Sequence, residues 1–124
     1  MKIISTTNAP SAIGPYSQAI VINGFLFTSG QIALKPNGEF VNGDIVAQTK
    51  QVLANLQAIL QAANTKVENV IKTTIFLADM NDFATVNELY GEVFSTHKPA
   101  RSCVAVKTLP KNALIEIELI ASVL

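Results

Sequence analysis

The sequence predicts an α+β protein in which a mixed sheet carries two helices on one face. Three observations predict it: an Asn-Gly dipeptide joins two β-rich runs, two separate stretches repeat apolar residues at helical spacing, and the last segment alternates apolar with acidic residues. Taking the elements in order, residues 16–22 and 25–32 flank Asn23-Gly24, the pair that most readily takes the positive φ angles of a type I′ turn. An antiparallel hairpin is expected there. Pro36-Asn37-Gly38 and Asn42-Gly43 punctuate a loop, after which Asp44 stands where an N-cap would accept orphan amide protons. Val52, Leu53, Leu56, Ile59, Leu60 and Ala63 then mark the apolar stripe of a helix over 45–63, with Gln48, Lys50, Gln51, Gln57 and Gln61 mostly off it. Asn64 suits a left-handed C-cap, and the β-branched and aromatic run 70–78 reads as a strand. Phe83, Val86, Tyr90, Val93 and Phe94 stripe a second helix at about 80–97, which Pro99 prevents from continuing. Two strands, 101–107 and 114–123, close the chain around a Leu-Pro-Lys-Asn-Ala turn. The order is β-β-α-β-α-β-β. Since helices cover one side of such a sheet, its other face meets water or another subunit.

Composition narrows the function. A chain of 124 residues fits one domain, 1–124, with a core that needs no staple. The single cysteine, Cys103, and single histidine, His97, exclude an internal disulfide and leave a structural zinc site without ligands. Nine basic and nine acidic residues give zero formal charge, and no two basic residues are adjacent, which argues against an electrostatic nucleic-acid binder. No apolar stretch approaches the ~20 residues that span a bilayer, and the start leads into no apolar signal region, so a soluble, unexported, cytoplasmic protein is expected. Only 15% of residues are charged against 49% apolar, which points to an oligomer. No Walker loop, Gly-x-Gly-x-x-Gly or His-Glu-x-x-His occurs, so nucleotide cradles and zinc hydrolysis lack support.

A few residues could carry chemistry. Arg101, the only arginine, opens a strand after Pro99-Ala100; its fork of donors matches a carboxylate, although a surface or interface ion pair would use the same residue. Glu116 and Glu118 share one strand face opposite Ile115, Ile117 and Leu119: a partly desolvated acid–base carboxylate or a solvated outer face, which alternation does not separate. Cys103 has the parity of Arg101, so both point to one face. It reads as a small buried side chain more readily than as a nucleophile paired with His97, whose place near a helix C-terminus suits it to the dipole. Tyr16 follows the Gly14-Pro15 turn, and is either core packing or a phenol presented at the end of the sheet. Ser29-Gly30 ends a strand, where glycine marks a bulge or a close backbone approach.

Taken in order, Ala9 to Gln18 (Ala-Pro-Ser-Ala-Ile-Gly-Pro-Tyr-Ser-Gln), Ser29-Gly30-Gln31-Ile32, Gly43-Asp44-Ile45 with Gln48-Thr49, Asn87-Glu88-Leu89-Tyr90, Pro99-Ala100-Arg101-Ser102-Cys103-Val104 and Ile115-Glu116-Ile117-Glu118 closely resemble the RidA family of reactive intermediate/imine deaminases over nearly the whole chain. The resemblance implies a chorismate-mutase-like fold and a homotrimer with clefts between subunits. It implies cofactor-free hydrolysis of 2-imino acids such as 2-iminobutanoate and 2-iminopropanoate, with their enamine tautomers, to 2-oxo acids and ammonia. Carried over residue by residue, it gives Arg101 the substrate carboxylate, the Cys103 backbone a hydrogen bond near the imine nitrogen, and Glu116 the water. Tyr16 from a neighbouring subunit completes the pocket, and Ser29, Gly30 and Asn87 line it. No metal is implied. One departure is Ala105, where many relatives carry an acidic residue.

Strand parity alone does not bring Glu116 beside Cys103: if the last two strands formed a hairpin, pairing 103 with 116 and a turn centred on Lys111 would demand different registers. A second chain would also solve it. Two other functions compete. Relatives have been described as endoribonucleases or translation inhibitors, against which the neutral charge and 6% aromatics argue; a non-catalytic regulatory protein binding 2-oxo acids would use the same Arg101.

Overall fold

The computed structural model describes residues 1–123. The chain runs β1 (Lys2–Ile4), β2 (Ala19–Ile22), β3 (Phe25–Thr28), α1 (Ile45–Ala62), β4 (Val70–Leu77), α2 (Phe83–Val93), β5 (Ala100–Ala105) and β6 (Ile115–Ser122). The strands form one mixed sheet ordered β1-β2-β3-β6-β4-β5, and both helices pack on one face of it, the chorismate-mutase-like α+β arrangement.

Local chemistry explains most boundaries. Asn23 and Gly24 adopt φ of 52° and 80°, as the hairpin turn requires. Asp44 caps α1 by accepting the Ala47 amide at 2.9 Å, and Asn64 follows the helix with φ 56°. Val52, Leu56, Ile59 and Leu60 of α1 and Val86 of α2 meet Ile75 and Leu77 of β4 and Ile115 and Ile117 of β6 in a core with almost no solvent access. These side chains supply most of the driving force for folding, each contributing roughly 1.5–3 kcal/mol on burial.

Four expectations need correction. β1 was not anticipated: three residues are too few to show alternation, and it is held by antiparallel pairing of Lys2, Ile3 and Ile4 with Val21, Ile20 and Ala19. The hairpin strands are shorter than 16–22 and 25–32, because the chain departs from regular pairing at both outer ends. The second helix spans Phe83–Val93 instead of 80–97. A 3₁₀ turn over Met80–Asp82 precedes it, and after it the chain returns to where β4 begins, anchored by a 2.6 Å bond between His97 Nε2 and the Val70 carbonyl. Finally, the last two strands are not a hairpin. β4 lies between them, antiparallel to β6 and parallel to β5.

Polar residues inside the core fix the loops. Gln48, expected off the buried stripe, is buried, and its Oε1 accepts the Leu114 amide at 2.9 Å. Asn55 donates from Nδ2 to the carbonyls of Leu34 (2.8 Å) and Ile32 (3.4 Å), pinning the 32–34 loop to α1. Asn55→Ala should therefore cost about 1–3 kcal/mol in denaturant unfolding, because one buried and one part-buried carbonyl lose their donor.

The face opposite the helices is open and apolar. One row crosses all six strands as Ile3, Ile20, Phe27, Ile120, Lys72 and Ala100, and Ile3, Ile22, Phe25, Phe27 and Val104 each leave more than 40% of their surface accessible.

Candidate active site

The site begins with an irregularity in the sheet. Phe27 pairs with Ile120 but Gln31 with Ile117, so three residues, Thr28, Ser29 and Gly30, oppose two, Glu118 and Leu119. This is the bulge that Gly30 signalled. Ser29 is tethered twice, its hydroxyl donating to the Ser17 carbonyl at 2.6 Å and its amide to the Gln18 carbonyl at 2.9 Å. A β-carbon on Gly30 would run into the Glu116 carboxyl group, lying 2.8 Å from its Cδ. Glycine is there because the carboxylate lies over it.

That carboxylate is half-buried, and burial, reinforced by the negative charge of Glu118, raises its pKa above the ordinary carboxylate value. Glu118 is exposed, so the structure separates two acids that alternation left equivalent. Around Glu116 opens a cleft of about 570 Å³ whose walls include Tyr16, Ser29, Gly30, Ile32 and Lys111. Tyr16 stands at its edge, about half exposed at 53%, with its amide donating to the Gly14 carbonyl at 2.9 Å while Gly14 holds φ at 127°.

Sequence reasoning missed what holds this wall. Gln18 is buried; it accepts the Thr6 amide at 2.7 Å and donates to the Pro10 carbonyl at 2.8 Å, fixing the segment that leads to Tyr16. A glutamine between two turns gives no periodic signal. Lys111, read only as a turn residue, lines the cleft with φ 57° beside Asn112 at 53°.

Arg101 lies elsewhere. Its row is Thr73 and Leu119, both buried under the helices, and its Nη1 donates to Asn87 Oδ1 on α2 at 2.7 Å. The guanidinium stacks over Tyr90 and Phe83, 5.0 and 5.5 Å from the ring centroids. Among the described residues no carboxylate pairs with it, so the alternative reading as an ion pair within the chain fails. Cys103 shares this face in the row of Ile75 and Ile117. Burial raises its thiol pKa more than nearby Arg101 lowers it, and His97 is engaged at Val70, far along β4 from Ile75. Cys103 is a poor nucleophile here.

Neither hairpin register applies, because β4 separates the two strands, and Cys103 and Glu116 do not meet within the chain. Glu116 aligns with Phe76 and Val104 on the open face, whereas Arg101, Asn87 and Cys103 sit on the helix side. One chain thus holds two candidate half-sites on opposite faces: Arg101 bonded to Asn87 on the helix side, and the half-buried Glu116 carboxylate with its raised pKa on the other. Among the described residues no cluster of His, Cys, Asp and Glu could hold a metal ion, and no helix is long and apolar enough to cross a membrane.

Gly30→Ala is expected to displace the Glu116 carboxylate and leave the fold intact, since Gly30 needs no positive φ. A roughly tenfold or greater fall in kcat with an unchanged Tm would mark that displacement, by the usual size of acid–base contributions.

Comparison with known proteins follows the same lines. A profile of the family described as Endoribonuclease L-PSP matches residues 6–123. The RutC family protein slr0709 of Synechocystis is 56% identical over 124 residues, covering 98% of this chain and 95% of its own. The 2-iminobutanoate/2-iminopropanoate deaminase of Mus musculus is 51% identical over 121 residues, covering 97% and 90%. A crystal structure of Escherichia coli TdcF with bound serine superposes with a TM-score of 0.93 at 47% identity, covering 98% of each chain. With its fold, its motifs and nearly its full length shared, this chain belongs to the Endoribonuclease L-PSP family, the RutC and RidA group that its sequence resembles.

Proposed function

We propose that this protein is a cofactor-free hydrolase that converts small 2-imino acids, among them 2-iminobutanoate and 2-iminopropanoate, to 2-oxo acids and ammonia. The observation that carries the reading is the pair of half-sites: an arginine held ready for a planar carboxylate, and a glutamate whose pKa is raised toward general acid–base use. The mouse relative named for this reaction and the serine held by TdcF agree with an amino-acid-sized ligand.

Because Arg101 and Glu116 occupy opposite faces of one sheet, a site using both takes them from different chains. The apolar open face offers the surface for that assembly, and a homotrimer with three such sites is the arrangement we propose. Tyr16 then belongs with Glu116, while Arg101, Asn87 and the Cys103 backbone come from the neighbour. Arg101 binds the substrate carboxylate and fixes C2 of the imine over Glu116. Water adds to C2 as Glu116 takes its proton. The same carboxyl group gives that proton to nitrogen, leaving a carbinolamine; it then takes the C2 hydroxyl proton and delivers it to nitrogen as the C–N bond breaks, so that the C2 oxygen becomes the carbonyl of the 2-oxo acid and ammonia leaves with all three hydrogens. The imine carbon is already electrophilic, so no covalent nucleophile is needed.

The test is to generate 2-iminobutanoate in situ from threonine with a dehydratase and to follow 2-oxobutanoate. Wild type should outpace spontaneous hydrolysis. A rate no faster than the spontaneous one would move a 2-oxo-acid-binding regulatory role to the front, with the ribonuclease activity of the family's description behind it.

A further inference from the structure

We infer that Tyr90 is a positioning residue for Arg101, held in place by Thr73, and that the Phe83, Asn87 and Tyr90 face of α2 presets the guanidinium before any anion arrives. Arg101 as a carboxylate clamp rests on the proposed function; its presetting does not. The Tyr90 ring is 6% exposed and its hydroxyl bonds Thr73 Oγ1 at 2.7 Å in a fully buried contact. Thr73 is also the β4 residue that pairs with Arg101 in the sheet. A single buried bond thus ties the ring beneath the guanidinium to the strand next to the one that carries it. Burial raises the Tyr90 pKa, which keeps the phenol protonated and the bond intact across the working pH range.

The geometry also explains why α2 carries these residues at this spacing. Phe83, Asn87 and Tyr90 are four and three residues apart, one stripe of a helix. Two rings limit the swing of the guanidinium while Asn87 takes one of its five N–H donors. The other donors remain for a ligand. A free arginine would lose rotamer entropy on binding a carboxylate, and a preset one loses little, so the rack acts on affinity.

Since Arg101 is the only arginine in the chain, its Nε–Hε group gives a single resonance that can be followed in a ¹⁵N-labelled protein without any ligand. In wild type it should be shifted by the ring currents and restrained in its relaxation. Tyr90→Leu should return it toward the free-arginine position and weaken 2-oxobutanoate binding roughly tenfold, the scale of a cation–π contact, with no change for the uncharged 2-oxobutanamide. Tyr90→Phe keeps a ring but frees it from Thr73, so it should lower Tm and move the resonance part of the way toward the free-arginine position. If Tyr90→Leu does not fold, Phe83→Leu at the half-buried rim should give a smaller loss of the same kind. An unshifted, mobile Arg101 resonance in wild type, or unchanged shift and binding in folded Tyr90→Leu, would overturn the inference. Should wild type show the shifted resonance yet fail to hydrolyse 2-iminobutanoate, the deaminase reading falls and the rack stands.

Discussion

Glu116→Gln should abolish imine hydrolysis while leaving 2-oxobutanoate binding within a few fold of wild type. The amide matches the carboxylate in shape and still fits over Gly30, but it cannot take a proton from water or pass one to nitrogen. General acid–base groups contribute roughly a hundred- to ten-thousandfold, so kcat should fall by at least a hundredfold. Stability should move the other way. Burial and Glu118 raise the folded-state pKa of Glu116 above its unfolded value, so the folded protein binds this proton more tightly. Stability from that group is fully present below the ordinary carboxylate value and declines as pH rises through the raised one. At neutral pH the ionised carboxylate is a burden on the fold, and the neutral glutamine relieves it. Glu116→Gln is therefore expected to raise Tm at pH 7 and to lose that advantage near pH 4, measured by thermal melts across the range. An inactive variant less stable than wild type at pH 7 would indicate structural damage, and the catalytic assignment would fail with it.

The same desolvation sets the pH dependence of the reaction. A base must be ionised to accept the proton of water, so kcat/KM should rise with pH through the raised pKa of Glu116, with its acid limb above that of an ordinary glutamate. A pH–rate profile that is flat across this region would remove Glu116 from the proton transfers.

Local chemistry was legible in the sequence wherever a residue acts on its own neighbourhood. Asn23-Gly24, Asp44 and Asn64 each specify a turn or cap by their own conformational preferences, and the bulge at Ser29-Gly30 is announced by its glycine. Sheet order was not legible. Whether 101–107 pairs with 114–123 or with the strand before α2 depends on which long-range contacts bury most apolar surface, and both segments have the alternation for either. Parity correctly put Arg101 and Cys103 on one face and Glu116 and Glu118 on one face, but could not say that β4 intervenes and leaves the two pairs on opposite sides. The roles of Gln18, Asn55 and Tyr90 were not legible for another reason: each works through hydrogen bonds to residues elsewhere in the chain, and the partner of such a bond leaves no mark in the local pattern.

Arg101→Ala should raise KM for 2-iminobutanoate roughly a hundredfold, since losing charge-assisted bonds to a carboxylate costs about 3 kcal/mol. Arg101→Lys should recover only part of it, because an ammonium keeps the charge but neither the planar fork nor the stacking over Tyr90. The sharper experiment mixes chains. If each site takes Arg101 from one copy and Glu116 from another, Arg101→Ala and Glu116→Gln chains, each nearly inactive alone, should complement each other when refolded together in equal amounts. A site is intact when its arginine comes from the second variant and its glutamate from the first, which random assembly gives in about a quarter of sites. Activity near a quarter of wild type is therefore expected. A site built within one chain would be crippled in every copy, and the mixture would stay as inactive as its parts. That result would require Arg101 and Glu116 to act on one substrate across their own sheet, which the strand register forbids, and it would end the reading of Arg101 as the clamp.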